Sequence, residues 1–125
     1  LASGRRDIDC AVLTSGAYGL LERARRLGQS RGGRSDTTGS TQFYDPLDHV
    51  DGIARDPLRR IVLVGNRDDR NTPFDLQERF ADAIAKAGHR VEVQTHAAGP
   101  PQNHDLTDRI GLKTASLCAR EAMLQ

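Results

Sequence analysis

Uninterrupted apolar runs alternate along this chain with segments whose apolar residues recur at helical spacing. Asp7 to Ser15, DIDCAVLTS, is a short apolar run headed by charges and closed by Ser-Gly, which predicts a strand buried on both faces. From Ala17, AYGLLERARRLG sets Leu20, Leu21, Ala24 and Leu27 on one side of a helix, with Gly28 as its natural stop. Residues 28–41 hold no large apolar side chain and predict a mobile surface loop. FYDPLDHVDGIARDP then mixes aromatic, acidic and proline residues, as irregular structure or short helical turns do.

The second apolar run, IVLV at Ile61–Val64, is β-branched and ends at Gly65, where an abrupt turn is permitted. Thr72-Pro73 predicts an N-cap and a first helical position, ahead of a stripe of Phe80, Ala81, Ile84 and Ala85 that runs to Gly88. Arg90 to Thr95 alternates Val91 and Val93 with polar residues, as a strand near a sheet edge does. A last helix is predicted over about Thr107–Met123 on the stripe Ile110, Leu112, Ala115, Cys118, Ala119 and Ala122. Strands alternating with helices give an α/β fold with parallel strands flanked by helices, because right-handed crossovers join such strands. Three strands make a thin sheet, and the first, apolar throughout, expects a neighbour on each side.

Composition narrows the function. The 125 residues fit one domain or part of one, and residues 1–125 are taken as a single partial domain. A net charge of +1 with intermixed signs, and few aromatic residues, argues against nucleic acid or a membrane surface as partner and for an ester or peptide small-molecule substrate. No apolar run approaches the ~20 residues of a membrane span, and the opening LASGRRD lacks the apolar centre of a signal peptide. Because the chain opens without Met, Leu1 reads as a cut end, so a leader upstream stays open. Cys10 and Cys118 lie in apolar segments without C-x-x-C spacing. They read as small core residues rather than a disulfide or zinc ligands, which favours a cytoplasmic setting.

Candidate chemistry gathers after the second and third strands. GNRDDRNTP places Asp68 and Asp69 just past a buried parallel strand, where open α/β sheets hold their ligands. QNHDL then supplies His104 after the next strand. A serine hydroxyl is a poor nucleophile near neutral pH. It needs an imidazole to take its proton and a carboxylate to fix the imidazole's tautomer and stabilise its charge. Loops leaving the same ends of strands about 4.8 Å apart can bring those two side chains together. The one literal G-x-S-x-G, GQSRG at 28–32, follows a predicted helix and opens a loop rather than joining a strand to a helix, so the nucleophile elbow is missing. Ser3, Ser15, Ser30, Ser35, Ser40 and Ser116 all lack the elbow context. Ser15 in TSG is the most tempting and is more simply a strand-end residue.

GNRDDRNTP followed by a helix, AGH, an alternating strand and then NHDL resembles the C-terminal part of an α/β-hydrolase, particularly the prolyl-oligopeptidase and dienelactone-hydrolase branch. DCAVLTSGAYGLL similarly resembles the sixth strand of that fold and the segment after it. The resemblance implies the C-terminal half of an α/β-hydrolase fold, belonging to a serine esterase or peptidase. Its G-x-x-D motif falls on Gly65 to Asp68 and its histidine on His104. The implied partner is the upstream half of the same polypeptide or another chain, carrying the serine and the oxyanion-hole amides; no cofactor or metal is implied, and this chain alone would be inactive.

Competing assignments remain open. Asp69 rivals Asp68, and either can simply cap or solvate a turn. His96 is second to His104, because it lies where its strand should end. His49 and His89 read as surface or helix-end residues, and a helix C-terminus would favour positive charge on His89. A metal site built from Asp68, Asp69, His96 and His104 lacks any H-x-x-x-H-like arrangement, and the two acids of GNRDDRN oppose a phosphate loop. Phe43 and Tyr44 are weak candidates for substrate contact. A different class of function also fits: a non-catalytic interaction module that docks, or forms a homo-oligomer, through the open edge of the first strand.

Overall fold

The computed structural model describes residues 1, 4–30, 45–69, 71–97 and 105–124. Strands β1 (Cys10–Thr14), β2 (Arg60–Asn66) and β3 (Val91–His96) form one parallel sheet in the order β1-β2-β3. Helix α1 (Leu20–Ser30) and a 3-10 helix (Pro46–Gly52) lie between β1 and β2, α2 (Phe74–Lys86) links β2 to β3, and α3 (Asp105–Leu124) comes last. Val62 pairs with Val12 on one side and Glu92 on the other, so β2 is central. Its residues Ile61–Asn66 are all buried, as a β-branched run with a neighbour on each side should be.

The two outer strands differ from each other as their patterns do. β3 alternates and lies at an edge, as expected. β1 is at the other edge and only half-buried, although its uniform apolarity predicts two neighbours; among the described residues it pairs with β2 alone. One face of the sheet carries the main core. Ile61 and Leu63, with Leu13 beside them, meet Phe80, Ala81 and Ile84 of α2, and Tyr18, Val50 and Ile53 close the cluster. The Tyr18 ring stacks on Phe80 with centroids 4.1 Å apart. Three of the four predicted stripe residues of α2 are therefore core, whereas Ala85 is exposed.

α3 covers the opposite face and departs from its predicted stripe. Its buried positions are Thr107, Gly111, Thr114 and Cys118, while Leu112 is 70% exposed and Ala115 and Ala119 also face solvent. The helix lies so close to β1 that a Cβ at Gly111 would sit 2.2 Å from Thr14 Cγ2. Close backbone approach selects small side chains, and an apolar-stripe reading cannot see that. Helix ends shift too. α1 passes through Gly28 to Ser30, so the start of the predicted loop is helical; residues 31–41 lie outside the described residues. α2 starts at Phe74 with Pro73 as its cap, because the Thr72 N–H and hydroxyl are both turned back to Asp69.

The cysteine expectation is overturned. Cys10 and Cys118 are joined by a disulfide between β1 and α3, with Cα atoms 6.2 Å apart, and neither is a separate core thiol. Topology brings together two residues 108 apart in sequence, and spacing carries no trace of that. The cysteines no longer favour a cytoplasmic setting, since lasting disulfides belong mainly to oxidising compartments. No helix among the described residues is long and apolar enough to cross a membrane.

Polar residues anchor the connections. Asp45 accepts the N–H groups of Gly19 and Leu20 at the head of α1 and that of Leu47 in the 3-10 helix. Arg59, 2% exposed, donates to the carbonyls of Ile8, Ala54 and Arg5 and so ties the N-terminal stretch to the start of β2. His89 lies just past α2 as expected, but burial and the nearby Arg55 and Arg59 push its pKa down, against the positive charge predicted for it.

Candidate active site

The site residues gather at the carboxyl ends of the strands. Gly65, the penultimate residue of β2, has no room for a side chain: a Cβ would meet Gln77 Oε1 at 2.6 Å and the Phe74 ring at 2.7 Å. The first turn of α2 therefore packs directly on the strand end. Asn66 shapes the opening of the turn between them: Asn66 Oδ1 accepts the Asp68 N–H at 3.0 Å and its carbonyl accepts the Asp69 N–H at 3.1 Å. The Arg67 N–H donates to the His96 carbonyl at 2.8 Å, which ties this turn to the end of β3.

Asp68 and Asp69 have opposite environments. The Asp68 side chain is exposed. Asp69 is 5% exposed, and Asp69 Oδ1 accepts the N–H groups of Asn71 at 2.9 Å and Thr72 at 2.8 Å, while Oδ2 accepts the Thr72 hydroxyl at 2.8 Å. The remainder of the turn is held in place around it. Gln77 Nε2 donates to the Thr72 carbonyl at 2.8 Å, and Arg23 of α1 donates through Nε to the Asn71 carbonyl at 2.8 Å. Asp69 is thus a carboxylate fixed in position and orientation by backbone and side-chain donors, whereas these hydrogen bonds hold Asp68 through its backbone N–H and leave its side chain in solvent. Sequence spacing does not reveal which of two adjacent acids a turn will bury; the downstream Asn71 and Thr72, whose amides fold back on Asp69, are the signal that bears on it.

The histidines are distributed differently. His104, with Phe43 and Tyr44, lies outside the described residues. His96 is the last residue of β3, level with Asn66 of β2. Its Nε2 is 2.6 Å from the Thr107 hydroxyl of α3, and its Nδ1 is buried without a hydrogen-bond partner among the described residues. Nothing in the sequence singles out Thr107 as a site residue, because a single threonine near a helix start carries no chemical signature. His49 is exposed, as predicted. Ser15 closes β1 in the left-handed region at φ 49°, with its N–H donating to the Val64 carbonyl and its hydroxyl buried without a partner among the described residues. No group of three or more His, Cys, Asp or Glu side chains that could hold a metal ion exists among the described residues.

No protein-family model matches this chain, and no curated protein matches it. Solved structures do match. The uncomplexed acylaminoacyl peptidase of Pyrococcus horikoshii superposes with a TM-score of 0.59 at 18% identity, over 86% of this chain and 18% of the peptidase chain. An esterase of Pyrococcus furiosus superposes with a TM-score of 0.58 at 15% identity, over 95% of this chain and 47% of the esterase chain. The fold is that of the α/β-hydrolases. This chain spans less than a fifth of the peptidase and about half of the esterase. In the α/β-hydrolase frame, Asp69, Asn66 and His96 share the carboxyl edge of a parallel sheet, where such sheets place their ligands.

Proposed function

We propose that this chain is the C-terminal portion of a serine hydrolase that cleaves an ester or peptide bond through an acyl-enzyme, supplying the acid and the histidine of a Ser-His-Asp triad. The observation that carries this reading is the buried Asp69 carboxylate, held by three donors among the described residues just beyond the central strand of an α/β-hydrolase sheet. The acid comes from the Asp68–Asp69 pair. Burial and restraint support Asp69, because the carboxylate of a triad must hold an imidazole in one tautomer and one orientation, and a solvated, unrestrained side chain does this poorly. His104, which comes after β3 in sequence, is the proton carrier. It would take the proton of the serine hydroxyl on attack and return it to the leaving group.

The nucleophile and the oxyanion-hole amides come from a preceding segment or a partner chain, since the one G-x-S-x-G of the sequence, at 28–32, begins within α1 rather than after a strand. Substrate contact by Phe43 or Tyr44 belongs to the same proposal. The test uses the complete polypeptide and a chromogenic ester. Asp69→Asn is expected to lower kcat by about 10³–10⁴-fold and His104→Ala by at least as much, with Asp68→Asn within about threefold of the parent. Normal turnover by a folded His104→Ala protein would sink the proposal, and a larger loss for Asp68→Asn than for Asp69→Asn would return the acid to Asp68.

One observation favours a second reading. β1 is a half-buried edge strand whose outward side has no partner strand among the described residues, so a non-catalytic module could dock there by strand addition or pair with a second copy of itself. Size-exclusion mass against concentration, with fluorophosphonate labelling of the same material, separates the readings. A labelled serine on a longer or associated polypeptide supports the hydrolase, and a concentration-dependent dimer without label supports the module.

A further inference from the structure

α3 leaves its leucines Leu106, Leu112 and Leu117 exposed and buries mainly small side chains. Thr107, Gly111, Thr114 and Cys118 are buried, whereas Leu112 and Leu117 are 70% and 48% exposed. A helix packed through so narrow a face removes little apolar area from water, so its hold on the sheet rests on a few specific bonds. Those bonds run along its length. Thr107 meets His96, the Thr114 hydroxyl donates to Gln94 Oε1 at 3.2 Å, Glu121 pairs with Arg60, and Cys118 is bonded to Cys10. The disulfide is the covalent member of the set and the one that two electrons can open.

Its two cysteines are unequally sheltered. Cys118 is 2% exposed, while Cys10 opens the half-buried edge strand. A groove bounded by Ile8, Cys10 and Val12 on the strand side and by Ala115 and Ala119 on the helix side runs alongside the bond. We propose that Cys10–Cys118 is a reducible latch, opened by a dithiol reductant entering along this groove, that sets whether α3 is held on β1. A reductant thiolate attacks the Cys10 sulfur to form a mixed disulfide, and the Cys118 sulfur leaves with the bonding electron pair and takes up a proton. The second thiol of the reductant then attacks its own partner sulfur, releasing Cys10 as a thiol and the reductant as a cyclic disulfide. Two electrons and two protons pass to the protein.

The effect of opening is local. The cluster of Ile61, Leu63, Phe80 and Ile84 lies on the other face of the sheet and contains no residue of α3. Loss of the latch loosens α3 and with it the Thr107–His96 contact at the end of β3, while β2 and α2 keep their own core. The latch is independent of the hydrolase proposal, and so is its test. Free thiols are counted and amide hydrogen exchange is followed on the full chain, before and after incubation with dithiothreitol.

The expected result is no free thiol before reduction and two after, with α3 amides exchanging at least tenfold faster and those of β2 and α2 unchanged. A Cys10→Ala/Cys118→Ala protein should show the fast α3 exchange with or without reductant. The wild-type comparison decides the matter even where that variant does not fold. Two free thiols in untreated protein, a bond that dithiothreitol reduces only after denaturation, or equal α3 exchange in both states would overturn the latch. An equal rise in β2 and α2 would overturn it as well, by showing that the bond supports the whole fold.

Discussion

Arg59 offers the sharpest test of how this fold is held, because it is a charged residue used as a structural pin. Its guanidinium is 2% exposed and donates through Nε to Ile8 O at 2.7 Å, through one terminal nitrogen to Ala54 O at 3.0 Å and through the other to Arg5 O at 2.7 Å. Arg59→Met keeps much of the packing volume and deletes all three bonds. Hydrogen bonds to charged groups contribute about 1.5–3 kcal/mol each, which sets an upper bound of roughly 5–9 kcal/mol for three. Burial of the charge offsets several kcal/mol of that, because the guanidinium loses its hydration. The three carbonyls left behind then cost about 1–3 kcal/mol each unless water reaches them, and the exposure of Arg5 and Arg55 indicates that water reaches at least part of this region. A destabilisation of about 3–5 kcal/mol is expected. Arg59→Lys keeps the charge but replaces a planar fork with a point donor, and about 2 kcal/mol should be lost. Urea denaturation followed by far-UV circular dichroism measures both, with unchanged m-values showing that the same surface is being exposed. An Arg59→Met protein within about 1 kcal/mol of the parent would refute the pin and imply that these carbonyls are satisfied by water in solution.

The packing and burial set three further outcomes. Gly111→Ala should destabilise by about 0.5–2 kcal/mol, the overpacking penalty against Thr14 Cγ2 at 2.2 Å less the gain in helix propensity; Thr14→Ala in the same chain should restore most of it, and failure to rescue in a double-mutant cycle would show that the two do not touch. Asp45→Ala removes an acceptor shared by Gly19, Leu20 and Leu47 and should cost about 2–3 kcal/mol by thermal denaturation, with Asp45→Asn much milder. Burial pushes the Tyr18 hydroxyl up to about 12, above its ordinary value of 10.0, so its contribution is fully present below pH 10 and is lost as pH rises toward 12. Up to about 2–3 kcal/mol of stability should disappear over that window in the parent, and Tyr18→Phe should flatten the loss when denaturation midpoints are compared at about pH 9 and pH 11.

The sheet was legible because its signals are strong and local. An unbroken Ile61–Val64 run, buried on both sides, can only be a central strand, and the alternation of Val91 and Val93 marks an edge. α2 was legible because its apolar face packs through large side chains, so stripe and core coincide at Phe80 and Ile84. α3 was not. There the sheet-facing residues are Thr107, Gly111, Thr114 and Cys118, chosen for smallness and for their bonds, and a hydrophobicity pattern looks for the opposite. The half-burial of β1 escaped notice for a related reason: composition reports what a strand would like to bury and says nothing about which neighbours are present. The disulfide joins the two elements whose sequence patterns say least about their neighbours, and a pairing across 108 residues emerges only once the topology places β1 beside α3.

The candidate site was legible as a place and less so as a set of atoms. Strand, glycine, acidic pair and helix locate a carboxylate at the carboxyl edge of the sheet whatever the fold is called, because a turn leaving a buried strand has nowhere else to go. Choosing between Asp68 and Asp69 depends on which side chain the turn folds back upon. That choice is made by groups several residues away: the Asn71 and Thr72 amides and the Thr72 hydroxyl that converge on Asp69, and the Gln77 side chain that fixes the Thr72 carbonyl. Thr72 appeared in the sequence as a helix cap, yet its donors serve the acid and the helix begins at Phe74 instead. A capping pattern and a carboxylate cradle draw on the same residue types, so the same letters fit either use until the turn is seen in three dimensions. If the cradle exists to orient a catalytic carboxylate, Thr72→Val should lower turnover of the complete polypeptide at unchanged KM, in addition to losing about 1.5–3 kcal/mol of stability, the contribution of one bond to a buried carboxylate. If the cradle only closes the turn, the loss should appear in stability and leave turnover alone, and that outcome would refute the catalytic use of Asp69.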